Sequence, residues 1–168
     1  MVDQIVYDVI KREGEFVNNF IDHGGATKYG ITIQTLSRYR GYQVTVADVE
    51  NLTKEEAADI YQKFYIDDPK INLIKDDGLR ACVFDTGVNN GTGTAIKLLQ
   101  QSVGAKPDGI LGAVTLGAVA AFKPQEMITR FLNARQAYDN NIVARNSSQE
   151  VFAAGWKNRI DELRTRYA

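Results

Sequence analysis

The chain holds one cysteine, one histidine, one tryptophan and three prolines among 168 residues. Each scarcity excludes something. A single cysteine, Cys82, rules out any disulfide within the chain. It lies between Ala81 and Val83, the setting of a small core residue. With His23 as the only imidazole, no zinc site of the usual kind can be assembled, so no metal is expected. No apolar run approaches the roughly 18 residues of a membrane span. The start, Met1-Val2-Asp3-Gln4, lacks the charged and apolar regions of a signal peptide. A net charge of −1 gives no electrostatic case for nucleic acid.

What remains is ordinary globular composition, 44% hydrophobic and 24% charged, with a length that suits one domain or one core with an appended lobe. Helical periodicity dominates. Ile5, Val6, Val9 and Ile10 share one face of a helix from Gln4 to Arg12, and Glu13 falls where the next apolar side chain is due. Residues 13–33 are rich in glycine, asparagine and short β-branched pieces, the composition of an irregular hairpin. Thr32 suits the cap of a helix that Gly41 stops. Thr53-Lys54-Glu55-Glu56 reads as a capping box ahead of Ala57, Ile60 and Phe64, with Pro69 beyond.

Further helices are predicted from Leu79 to Asn89, around Ala95–Ser102, over Ala113–Ala121, and from Pro124 along Met127, Ile128, Phe131, Tyr138 and Ile142. Ser148 suits the cap of a last helix carrying Phe152, Trp156, Ile160, Leu163 and Tyr167. Trp156 and Tyr138 could stack on sugar rings, yet both fall on apolar stripes and suit the core. The fold class expected is mainly α, about eight helices with one small β element near the N-terminus.

The chemistry-bearing cluster is Glu13, Asp22 and Thr27 with Gly24 and Gly25 between. A carboxylate on a buried stripe is costly to ionise and holds its proton. A second carboxylate in a polar loop stays charged. That pairing is what glycoside hydrolysis requires: an acid for the leaving oxygen and a group opposite for positive charge or water. Glu13 suits the first role and Asp22 the second. Thr27 could position water, and Gly24 with Gly25 would let a bulky substrate approach. Each has a plainer reading: Glu13 as a fraying helix end, Asp22 as a turn residue, Thr27 as a strand residue or cap. Glu15 lies off the stripe.

The ordered run Glu13-Gly14, Val17-Asn18, Asp22, Gly24-Gly25, Thr27 and Tyr29-Gly30-Ile31-Thr32 resembles the opening of the glycosyl hydrolase 108 muramidases, which include phage endolysins and secretion activator proteins. Phe84-Asp85-Thr86-Gly87-Val88-Asn89, Ala95 to Gln100, Asp108-Gly109-Ile110-Leu111-Gly112 and Thr115-Leu116 are similar to that family's predicted peptidoglycan-binding region. The resemblance implies a lysozyme-like helical fold and hydrolysis of the β-1,4 bond between N-acetylmuramic acid and N-acetylglucosamine without a cofactor. It carries Glu13 over as general acid, with Asp22 and Thr27 as partners and Gly24, Gly25, Tyr29 and Asn89 as substrate contacts. It divides the chain into a catalytic region, 1–78, and a helical region, 79–168, expected to pack together as one globule.

Two departures stand out. Glu15-Phe16 replaces the usual Gly-Tyr, and four residues rather than the five of phage lysozymes separate Asp22 from Thr27. The alternatives are a lytic transglycosylase and a non-catalytic peptidoglycan-binding or secretion-associated protein on the same fold. Peptidoglycan strands are the expected partner. A holin or a secretion system would carry a protein made in the cytoplasm to its work in the periplasm or cell wall.

Overall fold

The computed structural model describes residues 1–19 and 25–168. The expected Asp22 and Gly24, with His23, lie outside the described residues. The fold is mainly α with a small antiparallel sheet near the N-terminus, as the sequence predicts. It divides into two compact units, Met1–Asp67 and Asp68–Ala168.

The first unit opens with α1, Gln4–Glu13. Asp3 caps it through a bond from the Ile5 N–H, and Ile5, Val6, Val9 and Ile10 are buried as their spacing requires. Three short strands follow: β1 (Val17–Asn19), β2 (Gly25–Lys28) and β3 (Ile31–Thr32), in the order β1-β2-β3. Thr27 faces Val17 on one side and Thr32 on the other. Helix α2, Ile33–Arg40, begins at the Thr32 cap and ends at Gly41 with φ 82°, both as read from sequence.

Helices α3 (Val46–Glu50) and α4 (Lys54–Tyr61) complete the unit, and a π-helical turn, Gln62–Asp67, prolongs α4 almost to Pro69. The expected capping box at α4 is only half formed. Thr53 accepts the Glu56 N–H, but the Glu56 carboxylate turns to Arg40, which donates to it twice at 2.9 Å. A guanidinium offers a charge-assisted bidentate pair, a stronger partner than one backbone N–H. The complete box lies at α3, between Thr45 and Asp48. Phe64 is half-buried, with the Arg38 guanidinium 4.0 Å above its ring.

The second unit is helical: α5 (Asp77–Asn90), α6 (Thr92–Ser102), α7 (Ala113–Ala120), α8 (Pro124–Arg145) and α9 (Glu150–Tyr167). Helix α5 is buried over most of its circumference, from Leu79 to Gly87, including Asp85 and Thr86. An α-helix without an amphipathic face belongs in the centre of its unit. Pro124 occupies the first turn of α8, where its missing N–H costs nothing.

Along α8 the buried side chains include Arg135 and Asp139, whereas Tyr138 and Ile142 are only half-buried. Apolar periodicity cannot show charged residues turned inward. Ser148 does not cap α9: it lies in a 3-10 turn, Ser147–Gln149, donating to the Asn146 side chain. On α9 only Ile160 and Leu163 are fully buried. Phe152 is exposed and stacks on the half-buried Trp156 with ring centroids 6.0 Å apart, so the expected stripe of five covers only part of its length. Among the described residues no helix is long and apolar enough to cross a membrane.

Candidate active site

Glu13 is the last residue of α1, and Gly14 follows at φ 73° with its N–H on the Ile10 carbonyl. A positive φ at this position suits glycine alone without strain, and it ends the helix at once. Because the helix stops there, the apolar stripe stops too. Glu13 is exposed rather than buried, correcting the expectation from periodicity; its side chain retains 30% of its accessible surface. Arg12 Nη2 stands 3.4 Å from Glu13 Oε1, a loose, solvent-screened pair. Lys28 donates to the Glu50 carbonyl at 2.7 Å. Glu15 is exposed.

The stem of Glu13 is nevertheless confined. Strands β2 and β3 are joined by Tyr29 and Gly30, with φ 54° and 78°. Two positive φ values are the pattern of a type I′ hairpin loop, which fits the strands' twist but strains any residue bearing a Cβ. Tyr29 bears that strain. Its N–H donates to the Gly14 carbonyl at 2.8 Å and its own carbonyl accepts the Tyr61 hydroxyl at 2.7 Å. A methyl at Gly30 would lie 2.5 Å from the Tyr61 hydroxyl oxygen and 3.0 Å from Cγ of Glu13. The glycine is therefore required twice, by its φ and by the closeness of two side chains.

Of the sequence-predicted residues, Glu13, Gly25, Thr27 and Tyr29 belong to the first unit. Gly25 has φ 62° and open space where a Cβ would be, so it serves backbone angle rather than packing. Thr27 is half-buried in the central strand. Asn89 is in the second unit, where its amide donates to Asp85 at 3.3 Å. Tyr61 was not legible as a site residue, because only the turn of the chain brings it to Gly30. The signal that could have marked it is an aromatic with a hydroxyl on a buried helix face, since such a group needs a polar partner.

The second matching stretch has a structural explanation. Gln100 is buried, and its two amide hydrogens are shared among Asp108 Oδ1 at 2.8 Å, the Ile110 carbonyl at 3.0 Å and Thr115 Oγ1 at 3.1 Å. Its oxygen accepts the Gly109 N–H at 2.9 Å. The backbone N–H of Ile110 and the Gln100 amide hold the Asp108 carboxyl below its usual range. Gln100, Asp108, Gly109 and Thr115 are thus a latch for one loop.

A groove of about 770 Å³ in the same unit is lined by Leu79, Leu116, Val119, Phe122 and Met127. At its edge Asp76 is occupied in capping α5. With Lys75 as its other charged side chain, the lining is mostly apolar, unlike a site that converges polar groups on a sugar. Among the described residues no group of three His, Cys, Asp or Glu side chains could hold a metal.

The profile of the family described as Glycosyl hydrolase 108 matches residues 6–91, and that of Predicted Peptidoglycan domain matches residues 94–161. No curated protein matches the chain. The solved structure of SagA from Brucella abortus is similar at 33% identity, covering 97% of this chain and 91% of that one with a TM-score of 0.84. Fold and matches together define a peptidoglycan-acting glycoside hydrolase. The chain belongs to the glycosyl hydrolase 108 family.

Proposed function

We propose that the enzyme is an N-acetylmuramidase that hydrolyses the β-1,4 bond between N-acetylmuramic acid and N-acetylglucosamine, with Glu13 as general acid. The observation that carries this reading is the setting of Glu13: a carboxylate open to solvent whose stem is confined against Gly30 at the end of a packed helix. An acid for a polymeric substrate has to be reachable, and it has to be held on a rigid element.

In this reading Glu13 protonates the glycosidic oxygen. Asp22 supports the oxocarbenium-like transition state or activates water, and Thr27 positions that water. Gly24, Gly25 and Tyr29 border the bound strand, and Asn89 is a further contact. Carboxyl groups about 5–5.5 Å apart would give retention and about 6.5–9.5 Å inversion, so the anomer of the first product reports the role of Asp22. We place the work in the periplasm or cell wall, as a phage endolysin or a secretion activator, reached through a holin or a secretion system.

Digestion of purified peptidoglycan by wild type and Glu13→Gln, with mass analysis of the fragments, tests the proposal. Reducing muramic ends that vanish with the variant are the expected result. Anhydro ends would make the enzyme a lytic transglycosylase. No fragments from folded wild type on several wall types would leave a binding protein.

A further inference from the structure

We infer that Tyr61 is a positioning residue for Glu13, acting through the Tyr29–Gly30 turn; this rests on Glu13 being the acid. Tyr61 is the last residue of α4 and is 1% exposed. Its hydroxyl donates to the carbonyl of Tyr29, the strained residue of the turn. The same hydroxyl and the stem of Glu13 flank Gly30, where an added Cβ would lie 2.5 Å from the phenol oxygen and 3.2 Å from Cβ of Glu13. The turn is thus a thin wall with Tyr61 against it and Glu13 packed on it.

The phenol is itself held. Tyr65 packs on it with ring centroids 5.3 Å apart, and the π-helical turn follows immediately. Such turns are frequent at functional sites. The next residue, Gln62, accepts the Asp3 N–H at 2.8 Å, at the cap of the helix that carries Glu13. Adjacent residues of one chain end therefore fix both the start of α1 and the wall beside its last side chain. Burial, then the nearness of the Glu13 carboxylate, pushes the Tyr61 hydroxyl above its usual range, so it remains a donor wherever the enzyme works. Among the described residues the Glu13 carboxylate has one ion pair, the loose contact with Arg12, whereas its stem is confined by the Gly30 turn. Proton transfer to a leaving oxygen is sensitive to displacements of about 1 Å, which can lower rates by up to about a hundredfold.

The test is steady-state kinetics on solubilised glycan strands with wild type, Glu13→Gln, Tyr61→Phe and a variant carrying p-aminophenylalanine at position 61. The phenylalanine variant is expected to lose at least about tenfold in kcat with KM unchanged. The p-amino group, which keeps ring and donor, is expected to restore it. Where the phenylalanine variant does not fold, p-methylphenylalanine keeps the volume without the donor and takes its place.

Wild-type kcat without the donor, a loss in KM alone, or failure of the p-amino group to restore turnover overturns the inference. If Glu13→Gln is inactive in those cases, Glu13 stands as the acid and only the role of Tyr61 falls. If Glu13→Gln turns over like wild type, the acid assignment fails and the inference falls with it.

Discussion

Arg135 Nη1 donates to Asp85 Oδ2 at 2.8 Å, and both side chains are almost wholly buried. Arg159 closes on the other carboxylate oxygen from α9, at 2.6 Å and 2.8 Å. One carboxylate on the central helix thus binds guanidinium groups from two others, and among the described residues Arg135 Nε has no partner within hydrogen-bond distance. Breaking a buried pair from one side leaves an uncompensated charge, at about 3–5 kcal/mol. Asp85→Asn should therefore lower the melting temperature by roughly 10 °C, followed by circular dichroism. A variant melting within a degree or two of wild type would show that the triad contributes little.

The Gly30 turn gives a second prediction. Gly30→Ala places a methyl against the Tyr61 hydroxyl and the Glu13 stem at φ 78°. The conformational penalty alone is about 1–3 kcal/mol. Both stability and turnover should fall, whereas Gly117→Ala, in open space within α7, should leave turnover unchanged and raise stability by about 0.4–1 kcal/mol. Equal behaviour of the two in melting and peptidoglycan digestion would contradict the close approach at Gly30.

The Arg40–Glu56 pair predicts a pH dependence. Arg40 holds the Glu56 carboxyl below its usual range, against a smaller opposing effect of burial. A carboxyl more acidic when folded than when unfolded stabilises the fold above its unfolded value and ceases to as pH falls through its folded value. Glu56→Gln should cost about 1 kcal/mol near pH 7. The gap from wild type should close as melts are taken from pH 5 downward through the carboxylate range. A gap that persists at pH 2 would assign the effect to packing.

Cys82 should be silent toward thiol reagents. It is buried in α5, and desolvation first, then the nearby Asp85, pushes its thiol up to about 12. Since the thiolate is the nucleophile, reaction at pH 8 should be negligible in native protein and reach one thiol per chain in denaturant. Rapid labelling of native protein would mean that α5 opens easily.

Loss of the acid is the last prediction. Glu13→Gln should reduce turnover by roughly 10²–10⁴ while leaving the melting temperature almost unchanged, because the side chain is exposed and its ion pair with Arg12 is weak. Turnover by fragment release and stability by thermal melt separate the two effects.

The sequence by itself determined most of the helices, several of their caps and the order of the motif. The burial of Ile5, Val6, Val9 and Ile10, the Thr32 cap, the Gly41 stop and Pro124 at the head of α8 all follow from local rules that act within one turn of chain. It also marked Glu13 as the residue that breaks the pattern. Tertiary structure decided what local periodicity does not encode. Whether Glu13 was covered depended on where α1 stopped, and whether Glu56 completed its box depended on Arg40, sixteen positions away. The inward turn of Arg135 and Asp139 and the exposure of Phe152 were set by which helices pack against α8 and α9. Tyr61 reached Gly30 across thirty-two residues to the Tyr29 carbonyl. A charged or polar side chain takes the best partner that folding brings to it, and that partner is specified by the whole chain rather than by its neighbours in sequence.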